Sequence, residues 1–128
     1  MKKQLVLLFS IFFLSSPSVF ADVLYCSSDG ATGFDLEQNY KIMTFKNRRF
    51  QVKVDFQNQK MVSEKIWLTK NILCMFDDVT GTMICTSVWG TTLAIHKETL
   101  KFHYSTLTLA PGTSKDDVAV YHGQCEKF

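Results

Sequence analysis

The chain contains no G-x-S-x-G elbow, no H-E-x-x-H, no P-loop and no G-x-G-x-x-G. Those absences remove the commonest sequence marks of serine hydrolases, zinc proteases and nucleotide-dependent enzymes. No C-x-x-C pair occurs among the 4 cysteines, although structural zinc usually draws on such pairs. No apolar run approaches the roughly 20 residues of a membrane-spanning helix. There is no repeat, linker or low-complexity stretch, and no sustained 3.6-residue apolar stripe from which to read a helix. Charge of one sign is not in excess either: 14 Lys and Arg stand against 12 Asp and Glu. Two of the lysines, Lys2 and Lys3, fall in the leader described next, so the remainder is neutral. A neutral chain gives no electrostatic case for nucleic acid or an anionic membrane. The local cluster Lys46, Arg48 and Arg49 reads as solvated charge at a hairpin tip.

What is present begins with a tripartite leader. Lys2 and Lys3 form a positive start, Leu5 to Leu14 an apolar run broken by Ser10, and Val19-Phe20-Ala21 a small-x-small cleavage site. Residues 1–21 are therefore expected to be a secretory signal peptide, with cleavage after Ala21 and a single domain over 22–128. The residue before Cys26 is the bulky Tyr25, which does not suit lipid attachment. No transmembrane span is expected after cleavage, and the protein should be exported, to the periplasm or outside.

All the cysteines (Cys26, Cys74, Cys85 and Cys125) lie beyond the leader. An even count behind a signal peptide implies disulfides in an oxidising compartment. The spacing of β-prone runs and turn signals, about every 8–12 residues, points to an all-β fold. Expected strands are 22–27, 39–46, 49–56, 61–70, 72–77, 82–89, 92–97, 100–109 and 117–125. Loops are expected at 28–38, where Gly33 to Gln38 has room for a helical turn, and at 110–116. The architecture is either a small antiparallel meander barrel, lipocalin-like, or a two-sheet sandwich of about 8–9 strands.

Three hairpins can be tested for internal register. A turn at Asn47-Arg48 would set Phe45 opposite Phe50 and Met43 opposite Val52, all on one face. A turn at Glu98-Thr99 sets Ile95 opposite Phe102 and Leu93 opposite Tyr104, with His96 and Lys101 outward. The loop Asp78 to Gly81 sets Cys74 opposite Cys85, near enough to bridge. Cys26 in the first strand and Cys125 in the last would then close the chain end to end. Four cysteines allow three connectivities; this register favours Cys26–Cys125 with Cys74–Cys85. The third hairpin is apolar on both sides, with Cys74, Phe76, Met83, Cys85 and Trp89 on one and Leu73, Met75, Ile84 and Val88 on the other. Such a pair is either covered twice, by the 28–38 loop or another sheet, or displays a patch.

That patch is the candidate binding surface: Trp89 and Met75, extended by Trp67, whose neighbours Lys65 and Thr69 suggest an outward face. His96 and His103 point outward as diagonal neighbours and read as surface imidazoles. The pairs Asp77-Asp78 and Asp116-Asp117 lie at turns, and adjacent strand residues face opposite ways, so neither forms a glycosidase dyad. Disulfides leave no thiolate for catalysis. Catalytic residues, metal ligands and cofactors are all read as none. A transmembrane barrel ending at Phe128 is rejected because Glu126, Gln124 and His122 would line its lipid face. In size, leader and β content the chain is similar to periplasmic lysozyme inhibitors and other small lipocalin-like barrels. The S-G-x-x-Y loop of the C-type inhibitors is not found, so no residues carry over. The function expected is a non-enzymatic exported protein binding another envelope or extracellular macromolecule, in the manner of an inhibitor. A carrier of a small apolar ligand is the alternative, and it would need an interior not filled by Phe45, Phe50, Phe56 and Phe102; an enzyme of unknown class ranks third.

Overall fold

The computed structural model describes residues 22–35, 39–107 and 118–128. The expected leader and cleavage site, residues 36–38 and the expected 110–116 loop lie outside the described residues. The described residues form nine antiparallel strands: β1 (Asp22–Asp35), β2 (Lys41–Thr44), β3 (Arg49–Asp55), β4 (Lys60–Val62), β5 (Leu73–Asp77), β6 (Thr82–Thr86), β7 (Thr91–His96), β8 (Lys101–Leu107) and β9 (Val118–Lys127). Their hydrogen-bonded order is β4-β3-β1-β9-β8-β7-β6-β5, with β2 also on β1. This is a meander wrapped round on itself, a nearly closed eight-stranded barrel with one extra strand. It is a barrel and not a sandwich. The hydrogen-bonded sheet ends at β4 on one side and β5 on the other, which leaves a seam between them.

The first and last strands close the barrel. β1 pairs with β9 along most of its length, and Cys26 and Cys125 are direct register partners joined by a disulfide. The second disulfide joins Cys74 to Cys85 across the β5–β6 hairpin. Their Cα atoms are 4.0 and 4.1 Å apart, the close spacing of non-hydrogen-bonded cross-strand pairs. The β7–β8 hairpin has the register read from sequence, Ile95 opposite Phe102 and Leu93 opposite Tyr104.

The first hairpin does not form as expected. β2 and β3 pair with β1, not with each other: Met43 lies opposite Gly33, and Val52 opposite Leu24. The cause is that the chain stays extended from Ser28 to Asp35, well into the expected loop, so these residues belong to β1. A bulge between Ser28 and Gly30 breaks the register there. Opposite it the partner strand is interrupted, with Ser28 donating to the Arg48 carbonyl and Ser28 Oγ accepting from the Arg48 N–H. Two other strands are shorter than expected. β4 stops at Val62, because Ser63 and Leu68 bond to each other across a tight turn. β6 stops at Thr86, so Val88 and Trp89 leave the strand faces on which alternation would place them. Of the residues 28–38 expected to cover this hairpin, the described ones, 28–35, form a strand elsewhere in the sheet.

Alternation still decides what lies inside. Phe50, Val52 and Val54 on β3, Met83 and Cys85 on β6, Leu93 and Ile95 on β7, and Phe102 and Tyr104 on β8 are all buried. Aromatic rings fill the interior, with Phe50 edge-on to Phe102 at 5.2 Å and Tyr104 stacked on Tyr121 at 5.0 Å. Two residues of the β4–β5 link, Ile66 and Leu68, are also fully buried. The barrel interior is a packed core.

Candidate functional site

Strands that run alternately up and down put half of their connections at each end of a barrel. One end collects the links 63–72 and 87–90, together with the end of β1 at Asp35 and the end of β8 at Leu107. Trp67 and Trp89 both belong to this end, and Met75 sits two residues into β5 from it.

Trp67 is displayed by the fold of its own link. The buried Ile66 and Leu68 anchor the segment on either side, and reciprocal N–H to carbonyl bonds of 2.9 Å between Ser63 and Leu68 close it. Between these anchors Trp67 has a φ of 59° and is 67% exposed. Left-handed backbone costs a bulky L-residue about 1–2 kcal/mol. A tryptophan held outward at that cost is the least expected feature of the surface.

Trp89 sits in the β6–β7 turn. Ser87 N–H donates to the Thr91 carbonyl at 2.9 Å and Gly90 N–H to the Ser87 carbonyl at 3.2 Å. Gly90 has a φ of 80°, and a Cβ there would run into the Leu107 carbonyl. That close approach docks the turn against the end of β8, where the Leu107 N–H donates to the Gly90 carbonyl. Trp89 is left 52% exposed. On β5, Leu73 and Met75 face outward and are 79% and 62% exposed. Trp67, Trp89 and Met75 are thus all exposed on or beside one end, the two tryptophans from turns and the methionine from a strand face.

Sequence reasoning missed a further row at this end. The registers set Ile42 beside Phe34, Phe34 beside Val118, and Val118 beside Leu107, an apolar line across β2, β1, β9 and β8. Phe34, Ile42 and Leu107 are exposed. Treating 28–38 as a loop hid it; the alternation of Ala31, Gly33 against Thr32, Phe34 was the available signal.

Elsewhere the surface is polar or mixed. A groove of about 960 Å³ crosses the outer face of β9, β1, β3 and β4, and its Arg49, Lys53 and Lys65 interleave with Asp29, Glu64 and Glu126. His103 lies opposite His122, not merely diagonal to His96, and His122 Nδ1 is 2.8 Å from the Asp29 carboxylate. Covalent catalysis by an Asp–His pair needs a side-chain hydroxyl or thiol against the imidazole. Ser28, next to Asp29, turns its hydroxyl to Arg48, and all four thiols are in disulfides. His96 Nδ1 accepts from the Glu98 and Thr99 N–H groups, which caps the β7–β8 turn. Among the described residues no three His, Cys, Asp or Glu side chains are placed to hold a metal ion. The perturbed titrations are structural. Hydrogen bonds from the Thr80 side chain and the Val79 N–H hold the Asp77 carboxyl below its ordinary value, and bonds from Asn58 do the same for Asp55. Burial pushes the Tyr104 phenol up.

Comparison of the chain with known protein families, with curated proteins and with solved structures finds no match in any of the three.

Proposed function

We propose that this chain is a small exported, non-enzymatic barrel that binds another macromolecule of the cell envelope or the extracellular space through its apolar end. The carrying observation is the placement of Trp67 and Trp89, both more than half exposed, at the end where Leu73, Phe34 and Ile42 are also exposed. Clustered exposed apolar side chains mark interaction sites, and tryptophan is enriched among interface anchors. Export is supported by two disulfides, which persist in oxidising compartments, together with the leader read from sequence. The carrier reading draws less support, because Phe50, Phe102, Tyr104 and Tyr121 occupy the interior a ligand would need.

The test uses Trp67→Ala and Trp89→Ala. Each should lower capture of an envelope or secreted partner about fivefold or more, the effect of losing a central aromatic anchor worth over about 1 kcal/mol. Chemical denaturation midpoints should stay near that of the parent. Variants that unfold early, with capture falling only in proportion, would overturn the reading.

A further inference from the structure

Two register rows cross the groove on the outer face of β9, β1, β3 and β4. Ser27 lies between Gln124 and Arg49, and Tyr25 between Glu126 and Gln51. Alternation turns all six outward, and all are exposed. Ser27 has the smallest side chain of the six, so the floor dips at the centre. One wall is fixed by the Ser63 hydroxyl, which donates to the Gln51 carbonyl at 2.6 Å and holds Glu64 and Lys65 beside β3. At about 960 Å³ the groove has the size of a small-molecule site, for which about 300–1,000 Å³ is usual.

The charges on its walls restrict what it can hold. Arg49, Lys53 and Lys65 balance Asp29, Glu64 and Glu126, so the lining is neutral. Among the described residues only Asp29 of these six has an ion-pair partner, His122. For Glu126 the register explains this: β1 stands between β9 and β3, and strands spaced about 4.8 Å apart set those two about 10 Å from each other. Donors and acceptors thus face one space without satisfying one another. A polyanion needs an excess of basic groups, which is missing. A peptide strand needs a free edge, but β9, β1 and β3 are each hydrogen-bonded on both sides. An apolar ligand would strip water from the charged walls and return no hydrogen bond.

We infer that the groove binds a short neutral oligosaccharide. Sugar hydroxyls both donate and accept, so a ring can meet a carboxylate on one side and a guanidinium or ammonium on the other. Hydrogen bonds to charged groups are the stronger kind. Two linked rings reach from Glu126 across β1 to Arg49. Tyr25 supplies the aromatic face on which the CH groups of a ring pack. Phe128, which is not part of the lining, meets the Tyr25 ring edge-on with centroids 4.5 Å apart and steadies it. The site uses none of Trp67, Trp89 and Met75, so it stands apart from the apolar-end reading.

Titration of the intact oxidised protein, followed through its backbone amide NMR shifts, tests the inference with cellotriose, chitotriose and maltotriose as neutral probes. At least one should shift the amides of Tyr25, Ser27 and Gln51 with a Kd of about 1 mM or tighter. Tyr25→Ala should weaken that probe about fivefold or more, and Tyr25→Phe, which keeps the ring, by less than about twofold. Glu126→Ala should weaken it about fivefold through loss of a charged acceptor. Trp67→Ala should bind the sugar as the parent does. A parent-like amide spectrum shows that each variant is folded, and the Glu126→Ala result decides if Tyr25→Ala is not. No shift from any of the probes at about 10 mM would overturn the inference. Shifts confined to other strands, or undiminished binding in Glu126→Ala, would do the same. Tighter binding of trigalacturonate than of the neutral sugars would make this an anion site instead. Shifts caused only by a charged tripeptide, or by dimers formed through these residues, would assign the groove to protein and sink the saccharide.

Discussion

Tyr104 shows how a single buried side chain couples pH to folding. It is 2% exposed and stacked on Tyr121, and desolvation raises its pKa, opposed by the charge of Arg48. A group whose folded pKa is raised stabilises the fold fully below its unfolded pKa, here about 10. As pH climbs through that value the unfolded phenol ionises while the folded one resists, so stability declines until the folded pKa is passed. Denaturation midpoints measured from about pH 9 to 12 should therefore fall with pH. The fall should be shallower in Tyr104→Phe, which lacks the titrating group. Equal slopes would show that the phenol is not desolvated. Asp77 has the opposite sign: hydrogen bonds lower its pKa, so what it contributes is lost as pH falls below the ordinary carboxylate range.

Among the elements, the β4–β5 link stands out because it mixes two roles within three residues. Ile66 and Leu68 fill the core beside the seam, and Trp67 between them is displayed. Truncating a buried Ile or Leu to Ala costs about 2–5 kcal/mol. Ile66→Ala and Leu68→Ala should each lose that much in urea denaturation, with Trp67→Ala near neutral, since its side chain is exposed and alanine keeps the same left-handed backbone cost. A large loss for Trp67→Ala and small ones for its neighbours would mean that the link packs the other way round. β1 illustrates the same division: the bulge at Ser28 to Gly30 lets one strand serve β3 with its first half and β2 with its second.

For the molecule as a whole, closure depends on joining its two ends. The Cys26–Cys125 bridge spans a sequence separation of 99, and the Cys74–Cys85 bridge only 11. In the chain-entropy picture the longer loop stabilises by about 4.7 kcal/mol and the shorter by about 3. Replacing Cys26 and Cys125 together by Ala should lower the denaturation midpoint more than replacing Cys74 and Cys85. If the order is reversed, closure rests on the β1–β9 ladder and packing, and the covalent link is secondary.

The sequence by itself determined the features that are local or periodic. Period-two alternation assigned Phe50, Val52, Ile95 and Phe102 to the inside, since a one-residue slip would expose every one of them. Short turns set the β7–β8 and β5–β6 registers, because a tight hairpin leaves the two strands no other way to meet. The bridges Cys26–Cys125 and Cys74–Cys85 could be read from the same strands. Alternation says which face a residue takes but not which strand lies beside it. The choice of β1 as partner for both β2 and β3, the seam at β4 and β5, and His103 opposite His122 were therefore decided only by closure of the barrel. The candidate site divides along the same line. Trp67 and Trp89 could be named as outward residues, but the strands offered as the reason end before them. It is the turns at one end of the barrel that expose both, through their own bonds, Ser63–Leu68 and Ser87–Thr91, and through docking such as Gly90 against Leu107, none of which strand alternation reveals.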